Sequence, residues 1–418
     1  MSAKHVTIVS TGDELVTGLT LDTNARYLAG ELSAHGFQVR RIIVVGDDPE
    51  VLERELVRAS SDSEFIVLSG GLGPTADDRT RRAIASAAGR ELVLDSDSLE
   101  HVRRIIEGHG RTMTPAHAVQ AYFPEGSEVL PNPLGTARGF ACRVGNAMLL
   151  AMPGVPEEMH AVFREGVLSC LLRATESRGL VRKVNLFGVP ESAVDARIGD
   201  LMAVGRNPSV GLKVDGGVVS VCLRAVAPTA QVAEQLVERD VQAIRQRFGE
   251  AVFGCDDTSL AHALSDLLER QGLTVAVAES CTGGLVGDLL TDVPGVSRFF
   301  LLDVVAYSNE SKVSELGVAA EELRRFGAVS PEVAKSMAAG ACRVSGAALG
   351  ISTTGIAGPS GGTPQKPVGL VYVGICLDGQ AVAHELRLRG DRRLIKERAA
   401  RHALNAARLA LLHRARKA

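Results

Sequence analysis

No tryptophan occurs anywhere in this chain, and aromatic residues together make up only 4% of its 418 residues. So few flat rings leave little platform for stacked bases. The formal net charge of -3 adds no general pull toward a phosphate backbone. Nucleic acid is therefore not an expected partner. Seven cysteines are scattered with no Cys-x-x-Cys pair. That spacing argues against a thiolate zinc site or a disulfide framework and fits a reducing cytosol. No run approaches the ~20 apolar residues of a membrane helix, so no membrane role is expected. The opening segment from Met1 to Val9 meets Asp13 and Glu14 after a short apolar run. It reads as a first strand rather than a signal peptide. The composition describes a soluble cytoplasmic enzyme, long enough for several domains.

Apolar runs alternate with helical spacing from His5 to about residue 168. His5–Ser10, Val39–Val45, Phe65–Ser69 and Ala147–Ala151 read as buried strands, and Asn24–His35 and Pro49–Ser60 as helices. That alternation predicts a parallel sheet with helices on both faces, and ligands in such folds sit at the carboxyl ends of strands. Residues 169–254 read as a small α+β module. Its strands are Val181–Phe187, Val210–Val214 and Val218–Ala225, with a hairpin at Asp215-Gly216-Gly217 and a helix over Gln231–Phe248. Residues 255–418 start again with a helix, Ser259–Gln271, and a strand, Thr274–Ala278. Further strands are expected at Ala347–Thr353, Val368–Cys376 and Ala381–Arg387, then a long helix over Asp391–Arg414. The predicted fold class is α/β and multidomain: two three-layer α/β/α domains joined by a small α+β module.

Two places carry chemistry. The first is Gly70-Gly71-Leu72-Gly73-Pro74-Thr75, which follows a strand and runs into Asp77, Asp78 and Thr80. Glycines let backbone N–H groups approach a phosphate, and a helix start adds its positive end. Asp77 and Asp78, with Asp47 and Asp48 at another strand end, supply hard oxygens suited to a divalent ion. The same features also describe aspartate-capped turns.

The second place is Ala278-Glu279-Ser280-Cys281-Thr282-Gly283-Gly284, with Lys312 32 residues beyond Ser280. A buried lysine that has lost its proton can take one from a serine, the logic of a Ser–Lys hydrolase. Ser280, Cys281 and Thr282 are all candidate nucleophiles. Ser280 is preferred because it directly follows strand and Glu279, and Cys281 has no histidine nearby in sequence. The helix expected after Gly283 and Gly284 would offer free N–H groups to an oxyanion. Read locally, the same Ser-Cys-Thr is a helix N-cap and Lys312 a solvated charge. Tyr307 suits either a core position or substrate orientation.

Several motifs together resemble the CinA family. In the first part they are Thr11-Gly12-Asp13-Glu14, Asp22-Thr23-Asn24, Gly70 through Thr80, Asn132 through Ala137 and Pro153 through Met159. In the last part they are Ala278 through Gly284, Val305 through Lys312, Gly327 through Ser330, Thr354-Gly355-Ile356-Ala357-Gly358-Pro359, Lys366 through Gly369 and Gly390-Asp391-Arg392. The resemblance implies a first domain similar to molybdopterin-binding domains, with ADP-ribose pyrophosphatase activity. It implies a nucleotide site at Asp13, Glu14, Asn24, Gly70, Gly71, Gly73, Thr75 and Thr80. Asp47 and Asp78 would hold a divalent metal ion (Mg, Mn or Co), with K+ assisting. For the last domain it implies deamidation of nicotinamide mononucleotide (NMN) without a cofactor. Ser280, Lys312 and Tyr307 would be catalytic, and Thr282, Gly283, Asn309, Thr354, Gly355, Gly358 and Arg392 would bind substrate. A homodimer is also implied. Four positions depart from the family pattern: Arg138 for a usual proline, Leu302-Asp303 for a Gly-Gly pair, and Lys396 for arginine.

Two other functions compete. The first domain alone would suit a molybdopterin-nucleotide enzyme. The basic run Arg387–Lys417 is the sole support for a competence or DNA-damage accessory, and its charges read more simply as a solvated helix face.

Overall fold

The computed structural model of the chain describes residues 4–175 and 177–416. Met1, Ser2, Ala3 and Lys417, which belong to segments discussed above, lie outside the described residues. By packing, the chain divides into two compact units. One comprises Met1–Val181, Gly205–Ser209 and Arg224–Asp240, and the other Arg182–Val204, Val210–Leu223 and Val241–Ala418.

The first unit is built on a six-stranded sheet in the order Gln38–Val45, His5–Thr11, Phe65–Ser69, Ala147–Met152, Gly139–Val144, Glu128–Leu130. The first four strands run parallel, but Gly139–Val144 and Glu128–Leu130 are antiparallel additions. The wholly parallel sheet expected from alternation is thus corrected at this edge. A two-residue turn, Gly145-Asn146, folds Gly139–Val144 back onto Ala147–Met152, with Gly145 at φ 54°. The sheet has an apolar core on each face. The helices Pro49–Asp62 and Thr80–Ala88 supply Leu52, Leu56 and Ile84 to one core, and Thr23–Ala34 supplies Leu28 and Leu32 to the other.

The middle of the chain forms a four-stranded sheet in the order Ser209–Asp215, Val218–Ala227, Arg178–Phe187, Val252–Cys255. Val218–Ala227 alternates half-buried and buried positions along its length, as one covered sheet face requires. Gly216 at φ 54° and Gly217 at φ 88° make the hairpin turn that Asp215-Gly216-Gly217 announces.

The second unit carries a five-stranded sheet in the order Phe300–Val305, Val275–Glu279, Leu349–Gly355, Leu370–Leu377, Gln380–Arg387. Its first three strands are parallel and the last two antiparallel. Leu260–Gln271, Leu285–Thr291 and Arg392–Ala415 cover one face, and Pro331–Ser345 the other. The final helix buries Ile395, Ala399, Ala403, Leu404, Ala407 and Leu411. Several of its cations bind within the protein: Arg408 donates to the Glu250 carbonyl at 2.7 Å, Arg393 pairs with Glu397 and Arg414 with Asp378. No helix among the described residues is long and apolar enough to cross a membrane.

Candidate active sites

The first candidate site lies where the parallel strands of the first sheet end. His5–Thr11 delivers Ser10 and Thr11, Gln38–Val45 leads to Asp47, and Phe65–Ser69 runs into Gly70 and Gly71. These residues line a cavity of about 290 Å³ together with Glu14, Asp22, Asn24, Asp77, Asp78 and Gly154. Gly70 sits at φ 117°, and a Cβ there would stand 2.5 Å from the Thr11 carbonyl oxygen. A side chain at that point would force the two strand ends apart.

The acidic residues divide by role. Asp48 caps the Pro49–Asp62 helix, accepting from the Glu50 and Val51 amides, so it is a cap and not a ligand. Asp13 and Asp47 brace each other: each carboxylate accepts from the other's amide, at 3.1 and 3.2 Å. Asp78 accepts from the amide and hydroxyl of Thr75 at 2.9 and 2.5 Å. Of the residues expected at the nucleotide site, Glu14, Asn24, Gly70 and Gly71 line the cavity, as do Asp47 and Asp78. Asp13, Gly73, Thr75 and Thr80 do not line it. Burial first, then the negative charges of Asp13, Glu14 and Asp77, push the Asp47 carboxyl up.

Three buried polar atoms in this cavity have no partner: Ser10 Oγ, Asp22 Oδ2 and Asn24 Oδ1. The amide of Asn24 donates to Ser69 Oγ and the Gly154 carbonyl, which turns Oδ1 away from both. Unpaired oxygens in a formed cavity are what a polar ligand or cation satisfies. Among the described residues no group of three or more His, Cys, Asp or Glu is placed to hold a metal by itself. Magnesium-type ions often bind through one or two carboxylates, with waters and substrate phosphates completing the shell. Asp47 and Asp78 fit that partial donor set.

Sequence reasoning missed Arg81. It is 2% exposed and donates to the Leu72 carbonyl at 2.7 Å, anchoring the glycine loop from behind. Burial brings its guanidinium down to about 10, against the opposing pull of Asp78. Its place one residue after Thr80 was the available signal. Arg138, a departure from the family pattern, reaches Ser98 and stays out of the cavity.

The second candidate site opens at the carboxyl end of Val275–Glu279. Ser280 leaves this strand with its amide bonded to the Thr353 carbonyl at 2.9 Å. Lys312 lies in the short helix Asn309–Ser314, whose N-cap Ser308 accepts from the Ser311 amide. Its side chain folds back so that Nζ lies 3.1 Å from Ser280 Oγ and 2.8 Å from the Ala306 carbonyl. The carbonyls of Tyr307 and Ser308 follow at 3.4 Å. Lys312 is 1% exposed, and burial pulls its amine below the usual lysine range. A neutral amine has two N–H donors and one lone pair. The donors suit the carbonyls, and the lone pair suits the Ser280 hydroxyl proton. The structure therefore joins the two residues that the sequence separates.

Tyr307, Asn309, Thr354, Gly355, Gly358 and Arg392 line the same cavity of about 260 Å³. Tyr307 is 60% exposed, and its hydroxyl accepts from Arg392 Nη2 at 2.9 Å, while Arg392 Nη1 donates to the Gly358 carbonyl. Tyr307 and Arg392 thus form a rim. Thr282 and Gly283 do not line the cavity. Thr282 is buried with its hydroxyl 2.6 Å from that of Thr353, and Gly283 faces Lys396.

One expectation is overturned. The helix Leu285–Thr291 does not present free N–H groups to an oxyanion. The Glu279 carboxylate accepts from the amides of Gly284, Val286 and Gly287 at 2.9, 2.7 and 2.9 Å. A buried carboxylate is drawn to that positive helix end more strongly than solvent would be. Of the three residues that follow Ser280 only Cys281 lines the cavity, so its amide is the main-chain donor that this turn offers to an oxyanion.

Cys281 also lines the cavity, but burial pushes its thiol up to about 12. A thiol in that range holds almost no thiolate near neutrality, so Cys281 is a poor nucleophile. Iodoacetamide at neutral pH is expected to leave Cys281 unmodified in the folded protein, as peptide mass mapping would show. Rapid alkylation there would reopen the choice of nucleophile.

Family models match residues 7–173 (Probable molybdopterin binding domain), 181–254 (Damage-inducible protein CinA KH domain) and 257–411 (CinA C-terminal domain). A CinA-like protein of Dictyoglomus thermophilum is 41% identical over 408 residues, covering 97% of this chain and 99% of the relative. Another CinA-like protein, from Kosmotoga olearia, is 39% identical over 405 residues, covering 97% of this chain and 98% of the relative. Among solved structures, the competence/damage inducible protein CihA from Agrobacterium tumefaciens is 41% identical, with a TM-score of 0.36. It covers 37% of this chain and 93% of that one. With relatives matched over almost their whole length and family models spanning all three segments, this chain belongs to the CinA family.

Proposed function

We propose that the second site deamidates NMN to nicotinic acid mononucleotide and ammonia, with Ser280 as nucleophile and Lys312 as its base. The supporting observation is the 3.1 Å approach of Lys312 Nζ to Ser280 Oγ in a site that disfavours the charged amine. Lys312 takes the Ser280 proton, and Oγ attacks the carboxamide carbon. The developing oxyanion is held by the main-chain amide that follows Ser280. The C–N bond then breaks, and Lys312 returns its proton to the departing ammonia. Water, deprotonated by Lys312, attacks the acyl-enzyme, the bond from Oγ to the acyl carbon breaks, and Lys312 returns that proton to Ser280 Oγ as the acid product leaves. Gly355, Gly358 and Arg392 suit the ribose-phosphate end, by close backbone approach and by guanidinium–phosphate pairing. Ammonia release by the wild-type protein on NMN is the direct test, and silence across a range of pH would overturn the reading.

The first site is proposed to cleave the pyrophosphate of ADP-ribose. A divalent ion held by Asp47 and Asp78 would neutralise phosphate charge there. The chain's own part is to present the Gly70–Gly71 backbone to the phosphates and the oxygens of Ser10, Asp22 and Asn24 to the rest of the ligand. AMP release from ADP-ribose is expected to fall at least about 100-fold in Asp47→Asn and in Asp78→Asn, the upper end of what losing even an outer partner costs a metal site. NMN deamidation should be unaffected in both variants. Retention of AMP release in both would remove the metal assignment.

A further inference from the structure

Beneath the Ser280 turn lie two carboxyl groups whose closeness has no role in the reaction above. Glu279 is 0% exposed, and its two oxygens accept three amide protons from the first turn of Leu285–Thr291. Asp303 belongs to the neighbouring parallel strand, Phe300–Val305, with Val277 opposite it and Val305 opposite Glu279. Leu302 and Val304 join the apolar core under Pro331–Ser345. Asp303, between them in sequence, points to the other face of the sheet. There its Oδ2 would stand 2.2 Å from a Cβ placed on Gly287, so the carboxyl rests against the same helix turn that Glu279 caps.

Asp303 Oδ1 is buried without a partner when both groups are written as carboxylates. Two carboxylates are only acceptors, and a hydrogen bond between them requires that one carry a proton. The oxygens of Glu279 are already committed to the helix amides, which leaves Asp303 as the donor. Among the described residues, Glu279 is the charged group that acts on Asp303, and no cation accompanies it. The helix contributes Asp288, which is solvent-exposed, and the facing strand contributes Glu279 itself. Lys312 and Lys396 lie on the Cys281 side of the turn.

We propose that Asp303 is a positioning residue acting through Glu279: protonated, it donates to the Glu279 carboxylate and keeps the three helix amides wrapped around it, which fixes the Ser280 turn against Lys312. The proposal rests on the reading of Ser280 and Lys312 as the reacting pair. Burial, followed by the negative charge and hydrogen bond of Glu279, raises the Asp303 carboxyl from 3.8 to about 7. A carboxyl raised on folding favours the folded state only while it keeps its proton. Its contribution is therefore lost as pH rises between those two values, and is flat above them. With the proton gone, two negative charges share one buried site and the turn loosens.

The test compares wild type with Asp303→Asn and Asp303→Ala, as full-length protein, from about pH 5 to about pH 9. Thermal unfolding is recorded alongside the rate at which a fluorophosphonate labels Ser280, counted as signal absent in Ser280→Ala. Asparagine donates an N–H to Glu279 at every pH. The melting temperature of wild type should therefore fall relative to Asp303→Asn as pH rises to neutrality. The ratio of wild-type to Asp303→Asn labelling rates should decline severalfold over the same window. Asp303→Ala, which lacks the donor, should label more slowly than Asp303→Asn throughout. Melting curves that run parallel, or a labelling ratio independent of pH, overturn the proposal. If the wild type fails to label, the assignment of Ser280 is at fault, and the melting curves still decide for or against Asp303.

Discussion

Ammonia release from NMN is expected to fall on the order of 10⁴-fold in Ser280→Ala and in Lys312→Met, with AMP release from ADP-ribose unchanged. The two residues act as a unit, so the double variant should be little worse than either single one. Stability gives a second, opposite readout. The Lys312 amine lies below its usual range because burial penalises the ammonium. A base whose pKa is lowered on folding costs stability at low pH, and that cost is relieved as pH rises from the lowered value to the ordinary lysine value. Lys312→Met removes an ionisable group whose burial carries that cost, so its melting temperature near neutral pH should match or exceed that of wild type. Loss of activity together with a gain in stability would mark Lys312 as working at a cost to the fold. Activity of the wild type should rise with pH along the acid limb as Lys312 loses its proton. If Lys312→Met retains activity, the Ser–Lys assignment fails.

The largest expected effect on folding comes from Glu279→Ala. Three backbone N–H groups end on this one carboxylate. An unsatisfied buried donor costs about 1–3 kcal/mol, so their joint loss should destabilise by about 3 kcal/mol or more. Urea unfolding should show a lower midpoint with an unchanged slope. Glu279→Gln keeps one oxygen but turns an NH2 toward amides that are themselves donors, so it should fall between Ala and wild type. A Glu279→Ala protein as stable as wild type would mean that solvent reaches the helix end and satisfies it.

The cores and most elements could be read from pattern. The expected strand Phe65–Ser69 is found at the same residues, and the final helix was expected one residue off at each end, because long apolar runs and clear caps leave few alternatives. The strands Gly139–Val144 and Phe300–Val305 were not expected. Phe300–Val305 is interrupted by Asp303, which breaks the apolar run that would have announced it, and its reason for being there is Glu279, a contact made only in three dimensions. Glu279 drew no role from the sequence beyond its place before Ser280. Nothing in its sequence neighbourhood shows that it takes up the helix amides expected to serve an oxyanion. The approach of Ser280 and Lys312 was inferred from residue type and resemblance, since their separation along the chain exceeds any single element. Thr282 differs again: the resemblance implied substrate contact, and its hydroxyl lies 2.6 Å from that of Thr353, outside the cavity lining.

Serine hydrolases commonly rely on a third side chain to steer the base, and mutagenesis finds it by deleting it. In the proposed reaction that office falls to main-chain oxygen, chiefly the carbonyl of Ala306 at 2.8 Å from the lysine nitrogen. No side-chain substitution can remove a carbonyl. An alanine scan would therefore report a dyad, while the steering group stays silent. It would be reached only by changes that shift the backbone path at 306–308, such as a proline insertion or an ester replacement of a peptide bond.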